Sequence, residues 1–314
     1  MSLKRNLSFL INWSKHIVLP GFRGMNLYDV AIFFIKGMEK GAITTRASSI
    51  AFNFFLAFFP ALIFFFTLIP YIPIEDFQDI LLQLLSEVLP QSTNETAFDT
   101  LNDIINHPRG GLLSFGFVMA LYFSTNSINS LMEAFNSSYF ISENRGMWKQ
   151  RLIAIGLTLT LSVMLILAIA VIVFTQVASA YFVDLGILQE SSIALIIIGK
   201  WITLLTFLFF GLSLLFQFGP AKKTYWSFFS PGAILATLFI VLTSVGFGYY
   251  IDQFGQYNKI YGSIGTLIVI LLWMYFNAIV MLIGFELNAS IFSAKERQES
   301  TSFIDFFQKK QKRD

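Results

Sequence analysis

Apolar residues run in six long blocks along this chain, and short polar segments separate them. The blocks cover residues 49–70, 111–135, 151–177, 192–216, 230–251 and 263–288. A helix needs roughly 20 mainly apolar residues to cross the hydrocarbon of a bilayer, and every block reaches that length. A backbone in hydrocarbon has no water to bond, so a block that crosses must satisfy its own peptide groups as a helix. The expected fold class is all-α: a polytopic membrane protein with six transmembrane helices plus interfacial and extracytoplasmic amphipathic helices.

Three further stretches carry helical spacing without enough length to cross. In 27–40, Leu27, Val30, Ala31, Phe34 and Met38 recur every three or four residues, while Lys36, Glu39 and Lys40 fall on other faces. This predicts a helix lying at the membrane surface. In 76–89, Phe77, Ile80, Leu81, Leu84, Leu85 and Val88 form a second stripe that Pro90 ends. Phe98, Leu101, Ile104 and Ile105 form a third, and Pro108-Arg109-Gly110-Gly111 breaks the chain before the next block. The expected division is an N-terminal segment with its interfacial helix (1–48), a transmembrane domain (49–288) with a helical external cap at 71–110, and a basic tail (289–314). The polar tail from Ser293 onward is expected to be loosely ordered.

Charge orients the blocks. Segment 1–48 carries seven basic residues, among them Lys36, Lys40 and Arg46, against Asp29 and Glu39. Segment 71–110 reverses this, with seven acids and only Arg109. Arg145, Lys149 and Arg151 then follow the second block, Lys222 and Lys223 the fourth, and six basic residues from Lys295 to Arg313 the last. Basic residues thus gather in every second segment, which places both termini in the cytoplasm by the positive-inside rule. An even number of crossings demands the same.

Composition narrows the chemistry. The chain of 314 residues is 55% hydrophobic and 13% charged, with a mean hydropathy of +0.67, so little remains for a separate soluble domain. A net charge of +2 is too mild to argue for nucleic acid. The absence of cysteine removes disulfides, thiol nucleophiles and cysteine metal sites. The two histidines, His16 and His107, stand in different segments, and no metal or cofactor is expected. No phosphate-binding loop argues for a built-in ATPase. No nucleophile–base spacing supports an intramembrane hydrolase.

Polar groups in hydrocarbon cost a few kcal/mol when unpaired, so those inside the blocks are the candidate functional residues. In the first block, Arg46, Ser49, Asn53, Ala57 and Pro60 share one helical face, and Pro60 frees a carbonyl one turn back, a candidate kink. In the second, Asn126, Asn129, Ser130, Glu133 and Ser137 align, and that face must look at other helices or water. Glu133 and Arg46 both fall at cytoplasmic helix ends, so a pair between them is allowed. In the last block, Glu286 lies about 180° from Asn277, while Asn277, Gly284 and Asn288 share a face. Glu286 either joins Arg46 or reaches the headgroups. Gly262 and Gly265 open this block as candidate packing or hinge points. Gly232 and Ala236, like Ser244 and Gly248, have the spacing at which small residues let helices approach closely.

Several of these residues lie in longer recognisable stretches. Arg46-Ala47-Ser48-Ser49-Ile50-Ala51-Phe52 leads into Phe59-Pro60. Tyr261-Gly262-Ser263-Ile264-Gly265 precedes Leu272-Trp273-Met274-Tyr275 and Gly284-Phe285-Glu286-Leu287-Asn288-Ala289. With Ala134-Phe135-Asn136 and Trp148-Lys149-Gln150-Arg151, these resemble the YihY/BrkB family of bacterial inner-membrane proteins over roughly residues 30–290. Phe52-Asn53 departs from the aromatic pair the resemblance implies. The resemblance implies six helices and cytoplasmic termini. It also brings labels of ribonuclease and of virulence or serum-resistance factor. The nuclease label fits poorly, because no His/Asp/Glu ligand cluster and no basic nucleic-acid groove can be read.

Two functions follow as expectations. The first is an inner-membrane transporter or exporter of a polar or amphipathic solute, or of a lipid, without its own ATPase. The alternative is a non-transporting scaffold for cell-envelope assembly. The expected partners are membrane lipids and the solute or lipid substrate, with a homo-oligomer allowed and nucleic acid not among them.

Overall fold

The computed structural model describes residues 12–68, 71, 109–138, 145–184, 193–222, 228–253 and 263–311. The expected external cap lies outside these residues except at Tyr71, Arg109 and Gly110, and Gly262 lies outside them too. The described residues form helices: α1 (Leu27–Lys40), α2 (Ile43–Leu68), α3 (Gly110–Asn136), α4 (Met147–Asp184), α5 (Ile193–Phe218), α6 (Pro231–Gln253) and α7 (Ser263–Gln311). Six of them, α2 to α7, are long and apolar enough to cross a membrane. The protein is an all-α, multi-pass membrane protein.

The helix ends have local causes. Asn26 caps α1, its side chain accepting from the Asp29 backbone N–H, which satisfies one of the donors a helix start leaves free. The turn between α1 and α2 is tight, with Ala42 at a φ of 43°. Pro60 sits inside α2, yet the helix runs from Ile43 to Leu68. Pro231 opens α6, where its missing N–H costs nothing.

By internal contacts the chain divides into two units, Met1–Ala51 with Ile128–Asp314, and Phe52–Ser127. In the first unit α7 packs against α6 and α1, α4 against α5, and α5 against α6. In the second, α2 meets α3 across Gly116, where a Cβ would stand 3.2 Å from the Phe64 backbone nitrogen. The Phe64 and Phe117 rings lie 5.5 Å apart.

Two expectations change here. The tail is not loose at Ser293, because α7 continues unbroken to Gln311. No glycine or proline follows Gly284, and residues 294–299 are mostly strong helix formers. A Lys295–Glu299 pair at 3.7 Å spans one turn of the extension. Helix α1 does not rest on the membrane surface alone. Its Val30 is buried with Phe22, Met25, Ile291 and Ala294, and Leu27, Phe33 and Leu287 flank that cluster. The cause is the length of α7, whose apolar face past Gly284 needs cover.

Candidate functional site

Helices α2, α3 and α7 bring their polar residues together at one place. Arg46, in the first turn of α2, donates from Nη2 to Glu286 Oε1 of α7 at 2.7 Å. Its Nη1 donates to the Ala134 carbonyl near the end of α3 at 2.8 Å. Ser138 Oγ, just past α3, donates to Glu286 Oε2 at 2.9 Å. Arg46 is 8% exposed and Glu286 not at all. Two charges removed from water stay charged only if each is closely paired, and this cluster does that with an ion pair and two further bonds. Arg46 thus pairs with Glu286 and not with Glu133. Gly41 roofs the pair: a Cβ there would stand 2.7 Å from Arg46 Nη2 and 3.4 Å from Glu286 Oε1, and would also strike the Gly37 carbonyl. The one polar atom left over is Arg46 Nε, which is buried without a partner.

The neighbours of these residues in sequence complete the junction. Phe135 stacks on Phe285 at 4.2 Å and 12°, and Phe216 of α5 meets both rings edge-on. All three are buried. Asn136 Oδ1 accepts from the Ala221 backbone N–H at 2.6 Å. Arg145 donates to the carbonyls of Phe218 and Gly219 at 3.1 and 3.3 Å and to that of Pro220. The Phe218 carbonyl is one that the end of α5 leaves without a helical partner, and those of Gly219 and Pro220 follow directly after it. Burial holds the Arg145 guanidinium below the usual arginine pKa.

Asn288 has a different task. Its Oδ1 accepts from the Gly232 N–H at 2.8 Å and its Nδ2 donates to Ser230 Oγ at 2.9 Å. Ser230 Oγ in turn accepts from the Ala233 N–H at 3.2 Å. With Pro231 lacking a donor, the first three positions of α6 are accounted for, two by acceptors and one by proline. The close approach expected at Gly232 and Ala236 is realised against Gly284. A Cβ on Gly232 would strike the Gly284 carbonyl, and one on Gly284 would stand 2.8 Å from Ala236 Cβ. At Gly248 a Cβ would meet nothing within 4 Å. Gly265 is buried.

The polar stripe of α3 divides between partners. Ser127 Oγ donates to the Asn53 carbonyl at 2.8 Å in the second unit, where Asn53 and Asn126 are half-buried. In the first unit, Ser130 and Ser49 share a hydrogen bond at 3.2 Å. Asn129 and Glu133 instead turn toward the start of α4. Asn129 Nδ2 donates to Glu133 Oε1 at 2.7 Å. Gln150 Nε2 donates to Asn129 Oδ1 at 2.9 Å and to Glu133 Oε1 at 3.4 Å. These side chains line an open recess of about 530 Å³, together with Arg145, Met147, Trp148 and Arg151. Glu133 is exposed there.

The structure therefore joins Arg46 to Glu286 and Asn129 to Glu133, and gives Asn288 to the start of α6. Sequence patterning did not single out Gly41, Ser138, Arg145, Gln150 or Ser230. Gln150 lies inside the recognisable Trp148–Arg151 stretch, which was its one available signal. Among the described residues no group of three or more His, Cys, Asp or Glu could hold a metal.

The sequence profile of the family described as virulence factor BrkB matches residues 34–303, and the chain belongs to that family. A ribonuclease-like protein of Bacillus subtilis (strain 168), YfkH, is 29% identical over 259 residues, which is 82% of this chain and 94% of that protein. A UPF0761 membrane protein of Vibrio atlanticus (strain LGP32) is 31% identical over 131 residues, 40% of this chain and 41% of its own. Another of that name, from Tolumonas auensis (strain DSM 9187 / NBRC 110442 / TA 4), is 36% identical over 81 residues, 26% of this chain and 27% of its own. No solved structure matches.

Proposed function

We propose that this BrkB-family protein is an inner-membrane transporter or exporter of a polar or amphipathic solute, or of a lipid, and that it has no ATPase and no enzymatic activity of its own. The observation that supports this reading is the recess at the junction of α3 and α4. A solvent-open hollow of about 530 Å³ at the end of a membrane-crossing helix, with Glu133, Arg145 and Arg151 in a largely apolar lining, has room for a small solute or a headgroup. Ionisable residues on membrane-spanning helices that face a water-filled cavity mark substrate and proton pathways. The charge asymmetry of the loops supports a cytoplasmic side for both termini, and with them for this recess.

Glu133 is the residue assigned to the transport step. Replacing Glu133 with Gln keeps the side chain's shape and removes its charge. The expected result is a protein that accumulates in the membrane at normal level and has lost its activity. Full activity in that variant would take Glu133 out of the mechanism.

The second reading, a non-transporting scaffold for envelope assembly, draws support from the closed Arg46–Glu286 junction, whose partners saturate one another apart from one nitrogen. Thiol chemistry separates the two readings. The chain has no cysteine, so single cysteines at 126, 129 and 133 report without background. A transporter exposes at least one of them to a membrane-impermeant reagent from each side in turn. Labelling from one side alone, under every condition that turns over substrate, favours the scaffold.

A further inference from the structure

Two guanidinium groups, Arg145 and Arg151, line the recess against one carboxylate, Glu133. Glu133 Oε1 already accepts from Asn129 and Gln150. Arg145 spends hydrogen bonds on the end of α5 but keeps its charge, since arginine stays protonated. Among the described lining residues the charges sum to +1, which suits a singly charged anion better than a dianion. Below the recess, α4 presents a continuous apolar strip. Trp148, Leu152, Ile155 and Leu159 recur at helical spacing, and all four are exposed, Trp148 at 84% and Leu152 at 69%. From Trp148 to Leu159 the strip is about 17 Å long at 1.5 Å per residue. One leaflet of hydrocarbon is about 15 Å deep. An indole at the top of such a strip sits where headgroup meets chain.

Resting on the transport reading above, we propose that this recess binds an anionic lipid: a singly charged phosphodiester headgroup beside Arg151 and Arg145, with an acyl chain along Trp148, Leu152, Ile155 and Leu159. The charge selects the head. The strip selects a molecule that carries a chain, and so distinguishes a lipid from free phosphate. Arg151 and Leu152 are the specificity-determining residues, one for each end of the ligand.

The test uses the full chain in a neutral detergent, with Met147→Cys carrying an environment-sensitive fluorophore at the mouth of the recess. The probes are a short-chain phosphatidylglycerol, the phosphatidylcholine of equal chain length, and inorganic phosphate. The expected result is a saturable shift with phosphatidylglycerol, binding about tenfold or more weaker for phosphatidylcholine, and no shift with phosphate at the same concentrations. Arg151→Gln is expected to weaken phosphatidylglycerol binding by about tenfold and Arg151→Lys to recover part of it, each judged on protein that elutes as a single folded species. Leu152→Asn is expected to weaken both lipids alike. Equal affinity for the two lipids overturns the headgroup assignment. Binding of inorganic phosphate as tight as that of the lipid overturns the chain assignment, and no saturable binding overturns both. Transport is scored separately: lipid binding without transport sinks the transport reading alone, and transport without lipid binding sinks this proposal alone.

Discussion

Two polar clusters stand at the ends of membrane-crossing helices, and they treat water in opposite ways. At the Arg46–Glu286 junction a full ion pair is enclosed, roofed by Gly41 and bonded to Ala134 and Ser138. At the α3–α4 recess, Glu133 is held by two amides and left open to solvent. Both contain a carboxylate on a membrane-crossing helix, and sequence patterning gave both the same candidate status. The difference lies in what the neighbours saturate. A carboxylate enclosed with buried partners on both oxygens is closed to a ligand, and its removal is felt as lost stability. A carboxylate with spare, wet acceptor capacity is available for exchange.

The sharpest break of that comparison is Glu286→Ala. It strands a buried guanidinium, and removing one partner of such a pair costs about 3–5 kcal/mol. The expected outcome is a large fall in thermal stability or a loss of folded protein from the membrane fraction. The double change Arg46→Met with Glu286→Leu is expected to restore most of the loss, because no charge is then left alone. Gly232→Ala comes next. Its methyl group collides with the Gly284 carbonyl, and overpacking of this kind costs about 1–3 kcal/mol, read as a lowered melting temperature. Asn288→Ala removes a cap from α6 and is expected to cost about 1 kcal/mol. Glu133→Gln is the smallest in stability, within about 0.5 kcal/mol, and the largest in activity. If Glu133→Gln melted as early as Glu286→Ala, the distinction between the two clusters would collapse.

The six crossings were legible because hydropathy is carried by each residue without reference to its partners. Helix ends were less so. Helix α2 begins at Ile43 and α4 at Met147, several residues before the apolar blocks. Arg46, Trp148 and Gln150 therefore belong to helices although they depress the local hydropathy. Long or amphipathic side chains at a span end lay their apolar stems along the helix and keep their heads in a polar setting. The pairing of polar residues was not legible, since helical phase says which residues share a face and nothing about the helix opposite. Phase alone allowed Arg46 to pair with either Glu133 or Glu286. Only the packing of α7 beside the α2 start decides between them. The role of Asn288 was hidden for the same reason: it caps a helix start 56 residues earlier in the chain.

Helix α7 runs for 49 residues, about 73 Å at 1.5 Å per residue, against roughly 30 Å of hydrocarbon. No glycine or proline interrupts it after Gly284. It is a boom more than twice as long as the wall it pierces, and its middle third carries Glu286 and Asn288. A sideways load on its outer end has no hinge residue to absorb it, so the torque falls on the pivot where those two residues are gripped. Whatever seizes the far end of this rod therefore has leverage on the seams around α2 and α6 without coming near the bilayer.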